Sequence, residues 1–302
     1  MTVQGPIDSA EMGFCLPHEH VMVDFIGADK TGKHRYKPED VVETMRPYLK
    51  EIVGLGVRTF VDCTPMYLAR DVEVLKTLSE ETGLQILTNT GQYKEPFLPA
   101  RTFEITSEEL SVEWIKEFED GIENTVVRPG FIKTAVDPGI LSAVQRKVID
   151  AAALTSKATG LTIGTHTGFG IPALEIQTIL ESRGVDPRKW IFIHAQNEPD
   201  YHLLRLAAQR GSWIELDGLN PQSAQKHLVA LVKLLDDGFE DQVLLSHDAG
   251  WYTVGKEPGA NKKPYTYLQT TFLGIMRRYG VSEETIHRLT VTNPARAFEL
   301  DS

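Results

Sequence analysis

A closed (β/α)8 barrel is the fold this sequence predicts, and three observations predict it. Short apolar runs rich in β-branched residues alternate with longer segments of helical period. Eight such strand–helix units fit in 302 residues, close to the roughly 250 residues such a barrel takes. No linker or shift of composition divides the chain, so it reads as one domain over 1–302. The competing architecture, an open doubly wound sheet, needs a topological switch point that the chain does not mark.

The elements follow in order. The first apolar run, Phe14 to Phe25, precedes a polar loop and a helix opened by Pro38-Glu39-Asp40, with Pro near N1 and acids in the first turn. Val57 to Cys63 is the second strand, and Leu68 to Thr82 a helix stopped by Gly83. Leu84 to Thr90 is the third strand, followed by a long loop from Gly91 to Thr106. Ser107 caps a helix running to Asp120. Strands at Pro129–Ala135, Leu161–His166, Trp190–His194, Gly211–Leu216 and Gln242–Asp248 complete the eight. Helices over Ile140–Thr159, Pro172–Arg183, Pro199–Arg210 and Gln222–Asp237 separate them. A loop of Gly, Pro and Lys, Ala249 to Pro264, leads to helices around Tyr265–Tyr279 and Ser282–Leu289 and a last short one capped at Asn293-Pro294.

Composition narrows the function classes. With 41% hydrophobic and 24% charged residues the chain has an ordinary globular balance. A net charge of -11 disfavours nucleic acid, whose phosphates need clustered Lys and Arg. No apolar run approaches the roughly 20 residues of a membrane helix, and the start lacks the basic and apolar regions of a signal peptide. The two cysteines, Cys15 and Cys63, lie in apolar strand-like runs. They read as buried free thiols of a reducing, cytoplasmic compartment.

Reactive residues fall where such a barrel would gather them. His18 and His20 alternate within strand 1, so both imidazoles face one side. Lys133 is inside strand 4, His166 ends strand 5, His194 ends strand 6 and Asp248 ends strand 8. The C-terminal ends of barrel strands meet at one mouth, where the active sites of this fold lie. Neutral imidazoles and a carboxylate aimed at one point are metal-ligand chemistry. A lysine inside a strand is costly to bury as a cation. Carboxylated by carbon dioxide, it becomes an anionic two-oxygen ligand suited to bridging two cations. His34, His202, His227 and His287 fall in loops or helices, and alternation turns His247 away from the mouth. All five read as structural or solvent-facing.

Six stretches carry a resemblance: Gly13-Phe-Cys-Leu-Pro-His-Glu-His20 with the Gly5-Pro-Ile before it, Gly130-Phe-Ile-Lys-Thr-Ala135, Thr165-His166, Ile193-His194, Leu245-Ser-His-Asp248 and Asn293-Pro-Ala-Arg-Ala-Phe298. Together, and over essentially the whole chain, they resemble the phosphotriesterase family of the amidohydrolase superfamily, and most of all its phosphotriesterase-like lactonases. The resemblance implies a TIM barrel with two divalent metal ions, zinc foremost and manganese, cobalt or iron as alternatives, bridged by a carboxylated lysine and a hydroxide. By position His18, His20 and Asp248 would hold the buried ion and His166 and His194 the outer one, with carboxylated Lys133 between them. Asp248 would also act as the base, and Tyr93, after strand 3, matches a family residue that contacts the leaving group or oxyanion. The implied partners are small lactones, esters or organophosphates, and a second copy of the chain in a homodimer.

The sequence departs from that family twice. An acid of the family's proton relay is replaced by Asn197, with Glu198 next to it, and the basic residue expected beside Asp217 is Gly218. An amide cannot shuttle a proton as a carboxylate does. Hydrolysis of a lactone or related carboxylic ester is therefore the leading expectation, organophosphate hydrolysis on the same site the second, and a ligand-binding barrel without turnover the third. Lys256, Lys262 and Lys263 stand ready for an anionic substrate or simply for solvent. Gly168-Phe-Gly170-Ile-Pro-Ala173 has the outline of a dinucleotide loop. No acid follows on the next strand, so only an anion grip at that helix N-terminus survives as an expectation.

Overall fold

The computed structural model describes residues 1–258, 260 and 262–300. Residues 259 and 261, within the loop expected over 249–264, and 301 and 302, at the end of the expected domain, lie outside the described residues. Among the described residues ten strand segments occur: β1 Phe14–Val23, β2 Val57–Asp62, β3 Gln85–Leu87, β4 Asn89–Thr90, β5 Phe131–Ala135, β6 Ile163–His166, β7 Trp190–Ile193, β8 Trp213–Leu216, β9 Val243–Leu245 and β10 Gly250–Thr253. They pair in parallel as β10-β1-β2-β3 and as β4-β5-β6-β7-β8-β9. β3 and β4 are halves of one strand interrupted only at Thr88. At the other seam the Asp248 N–H donates to His18 O and the His20 N–H to Ala249 O, both at 3.0 Å, while His20 lies opposite Gly250 in the β1–β10 ladder. β9 and β10 thus act as one interrupted eighth strand, and the ring closes as a TIM barrel.

The helices are α1 Pro38–Gly54, α2 Val72–Thr82, α3 Ala100–Glu104, α4 Ser107–Asp120, α5 Ala143–Thr159, α6 Gly170–Ser182, α7 Tyr201–Gln209, α8 Ala224–Asp236, α9 Leu273–Arg278, α10 Glu283–His287 and α11 Asn293–Phe298. Their ends follow local chemistry. Capping boxes at Thr106/Glu109 and Ser142/Gln145 start α4 and α5. Gly83 and Gly160, both left-handed, stop α2 and α5.

Several expected bounds move. α2 starts at Val72, not Leu68, because Ala69 turns left-handed and Asp71 caps the helix by accepting from the N–H groups of Glu73 and Val74. The loop expected over 91–106 contains α3, and the one expected over 249–264 contains β10. The helix expected over 265–279 opens as a π turn, Leu268–Phe272, before α9.

Alternation sorts the core into two layers. Ile132, Phe192 and Ile214 point outward into a large cluster with the helices. Cys15, Val61, Leu87, Phe131, Trp213 and Leu244 belong to a smaller apolar plug inside the ring. Lys133 stands two residues after Phe131, and Glu215 two after Trp213, so both continue the inward face toward the C-terminal mouth. The fold therefore sets an apolar floor under a polar chamber. Both cysteines are free and buried.

Candidate metal centre

β1 carries a register shift between Leu16, opposite Phe60, and Glu19, opposite Asp62. This bulge re-aims the strand as it passes His18 and His20. Their rings lie 5.4 Å apart, centroid to centroid. Nε2 of His20 is 3.2 Å and Nε2 of His18 3.7 Å from Asp248 Oδ1. His18 also approaches His194, with ring centroids 5.2 Å apart, and His194 approaches His166 at 4.4 Å. Nε2 of His194 and Nδ1 of His166 face each other at 2.7 Å, and the Tyr93 hydroxyl is 2.9 Å from that same Nδ1. Residues separated by up to 230 positions thus meet at one point, as barrel closure requires.

Lys133 is 1% exposed, and among the described residues Nζ has no hydrogen-bond partner. Its charge is felt at His18, His166 and Glu215. At Gly91, where φ is +105°, a Cβ would overlap the Lys133 carbonyl, so this glycine lets the strand-3 exit pass beside it.

The supporting carboxylates were not anticipated. Glu215 Oε1 is 2.6 Å from Nδ1 of His18, and Asp217 Oδ1 is 2.5 Å from Nδ1 of His194. Thr64 Oγ1 is 2.7 Å from Nδ1 of His20. Each pairing engages one ring nitrogen and leaves Nε2 for the chamber, the arrangement that orients a metal-binding imidazole. Glu215 had a signal in the sequence, an acid alone in an apolar strand. Glu19, between the two histidines, faces the other way. It accepts from the Ser246 hydroxyl, from the backbone of His247 and Ala249, and faces Nδ1 of His247. His247 is thus turned from the mouth as expected, and a buried carboxylate locks the eighth strand against the first.

Electrostatics favours the ligand forms. Burial, then the Lys133 charge, holds His18 well below the usual imidazole range. Burial and the neighbouring His194 push His166 down to about 2. Burial opposes ionisation of Asp248, yet the His20 hydrogen bond and charge win and hold its carboxyl low. Burial and the neighbouring Asp217 push Glu215 up, whereas Asp217, though buried, is held low by His194. Burial also raises the Tyr93 phenol, which stays a neutral donor. His194 and Asp248 adopt left-handed backbone, with φ of +61° and +48°. Such strain in non-glycine residues gathers at functional sites.

Two donor groups whose atoms lie within 4.8 Å of one another could hold a metal ion: His18–His20–Asp248 and His18–His194–Asp217. Asp217 is poorly placed as a ligand, because its oxygens already serve the His194 ring and backbone and the Gln196 amide. The Lys133 Nζ, unpartnered among the described residues, and the converging imidazole nitrogens fit a pair of divalent cations better than an empty chamber.

The mouth has two walls. Phe25, Phe97, Trp251 and Tyr93 form an aromatic arc, with successive centroids 5.6 to 6.1 Å apart, that ends on His20 and His166. Meeting the arc at His166, a cavity of 310 Å³ is lined by Gln196, Asn197, Asp217, Gly218 and Lys226 together with His166, His194 and Asp248. His227 lines it too, its ring nitrogens facing the carbonyls of Ser223 and Asp217. The anion grip expected at the α6 N-terminus is taken by the chain itself: Gly170 N–H donates to Glu198 Oε2 at 2.5 Å. Among the described residues no helix is long and apolar enough to cross a membrane.

A model of the phosphotriesterase family matches residues 1–298. The chain is 31% identical over 304 residues to an aryldialkylphosphatase of Saccharolobus solfataricus, covering 97% of this chain and 96% of that one. It is 28% identical to a phosphotriesterase homology protein of Escherichia coli, with 95% and 98% covered. To a phospho-furanose lactonase of Mycoplasmopsis synoviae it is 27% identical, with 99% and 91% covered. Nothing here favours a barrel without turnover. The whole-chain match and the chamber at the mouth agree that this chain is a hydrolase and belongs to the phosphotriesterase family.

Proposed function

We propose that this hydrolase opens lactones or related carboxylic esters at a two-metal centre. His18, His20 and Asp248 would hold one ion, His166 and His194 the other, and Lys133, carboxylated, would bridge them. The observation that carries the reading is the buried Lys133 Nζ, without a partner among the described residues, in the chamber where four imidazoles and Asp248 converge. When bound, zinc-type divalent ions would supply a nucleophile at neutral pH and polarise the scissile oxygen. Asp248, kept ionised, takes the proton of the attacking water and passes it toward the leaving oxygen. Tyr93 donates its hydroxyl hydrogen bond to the oxygen that gains charge. Glu215 and Asp217 hold His18 and His194 in register while charge moves.

Organophosphate hydrolysis on the same residues is the second reading. The relative named aryldialkylphosphatase supports it, whereas Asn197 in place of a relay acid weighs against it. The test is metal analysis of purified protein with turnover on lactone, aryl-ester and phosphotriester panels, before and after chelation and reloading. About two ions per chain, with lactone turnover lost on chelation and regained on reloading, is the expected result. Turnover that survives complete metal removal would falsify the reading.

A further inference from the structure

The polar wall of the mouth places one ammonium, Lys226, in a cavity whose two carboxylates, Asp217 and Asp248, already face His194 and His20. Lys226, exposed in the first turn of α8, reaches among the described residues only the amide oxygen of the equally exposed Asn197, at 3.4 Å. Among the described residues no carboxylate lies within ion-pair distance of its Nζ, in a chain that carries 42 acids against 31 Lys and Arg. Asn197 Nδ2 has no hydrogen-bond partner among the described residues either. An acid at position 197 would pair with Lys226 and neutralise it; the amide leaves the ammonium available to something else. Gly218 keeps the same cavity open. Its φ is +70°, and a Cβ there would press on Gln196 Nε2 at 3.3 Å, so a larger side chain would crowd the space between the histidines and Lys226. The cavity of 310 Å³ that holds Lys226 and Asn197 is also lined by His166, His194 and Asp248. The ammonium and the histidines therefore share one cavity.

We propose that this wall is an anion subsite: the substrate carries a carboxylate or a phosphate, held by Lys226 Nζ and Asn197 Nδ2, while its scissile carbonyl lies at the histidines. This rests on the hydrolase reading above and adds the chemical class of the substrate. The subsite binds and orients; it takes no part in bond breaking. Its position on the polar wall leaves the aromatic arc to the apolar face of the ring.

The test compares lactones of matched ring size that are neutral, carboxylated or phosphorylated, with metal-loaded wild type, Lys226→Ala, Lys226→Arg and Asn197→Asp. Wild type should favour one or both anionic series over the neutral one, and the two anionic arms separate carboxylate from phosphate. Lys226→Ala should reduce that preference about ten-fold, chiefly through KM, as loss of a charge-assisted hydrogen bond does. Lys226→Arg should restore most of it, and Asn197→Asp should reduce it by internal pairing. Calorimetry with glutarate and with inorganic phosphate gives a readout without turnover: Lys226→Ala should weaken one of them about ten-fold at equal metal content. Turnover of all three series without an anionic preference, or equal probe binding by wild type and Lys226→Ala, overturns the subsite and leaves the hydrolase reading intact. Probe binding that depends on Lys226 while no lactone is opened would instead support the subsite and count against the lactone reading.

Discussion

The two groups of donors at the mouth are supported very differently. In the inner group, His18 is 1% exposed and His20 12%, and each has its second nitrogen engaged, by Glu215 and by Thr64. In the outer group His194 is braced by Asp217. His166, at the rim, uses Nδ1 toward both His194 and Tyr93, and its Nε2 has no hydrogen bond among the described residues. The inner geometry is thus built before any ligand arrives, while the outer geometry is completed by what binds there. A hydrolase gains from that division: one part orients, and the other exchanges substrate for product.

In the proposed centre Lys133 serves both groups, so Lys133→Ala should have the largest effect. It should cost about three orders of magnitude in kcat/KM, as loss of a residue on which a whole catalytic unit depends can. Metal content should fall below that of wild type. Added short carboxylic acids should restore part of the activity by filling the space of the lost side chain. Wild-type metal content and turnover in the variant would break the link between the groups.

Next, Glu215→Gln removes support from the inner group alone. Inner-ion affinity should drop about 10- to 100-fold, the usual cost of losing an outer-shell partner, read by competition with a chelator. An unchanged titration curve would mean that the inner group is no better braced than the outer one.

Acid should act on both groups through their imidazoles. His18 and His166 titrate below the ordinary 6.5 when folded, His166 at about 2. The folded chain therefore binds fewer protons than the unfolded one below about pH 6.5, and stability is whole above that value and falls with pH. Each group contributes up to about 1.4 kcal/mol per pH unit. Glu215, raised in the fold, acts in the opposite sense above about 4.5 and makes the net slope shallower. Thermal melts of chelated protein at pH 7 and pH 5 should show a lower Tm at pH 5. Equal melting temperatures would contradict the neutral, buried imidazoles.

The smallest effect is expected at the rim. Tyr93→Phe keeps the ring contact with His166, 5.2 Å between centroids, and removes only the hydroxyl. A fall of about five- to ten-fold in kcat, with KM and metal content little changed, is expected for one lost donor. A change confined to KM would assign Tyr93 to binding instead.

Much of this molecule was legible in the chain. The strand–helix alternation, the inward His18 and His20, and the strand-end positions of His166, His194 and Asp248 follow from periods of 2 and 3.6 and from the barrel's shared mouth. The interruption at Thr88, the late start of α2 at Asp71 and the short β10 did not. Each depends on a single backbone turn or on pairing with a strand far away in sequence, which local pattern does not contain.

By itself, then, the sequence determined which residues face inward and in what order the strands run, because alternation and turn chemistry act over a few positions. Only the tertiary structure decided which acid braces which histidine, that Asp217 serves His194 and Glu215 His18, and that Glu198 fills the helix end where an anion was expected. Those pairings link side chains up to 197 positions apart. Their strength depends on the low dielectric of a closed chamber, which exists only once the last strand has met the first.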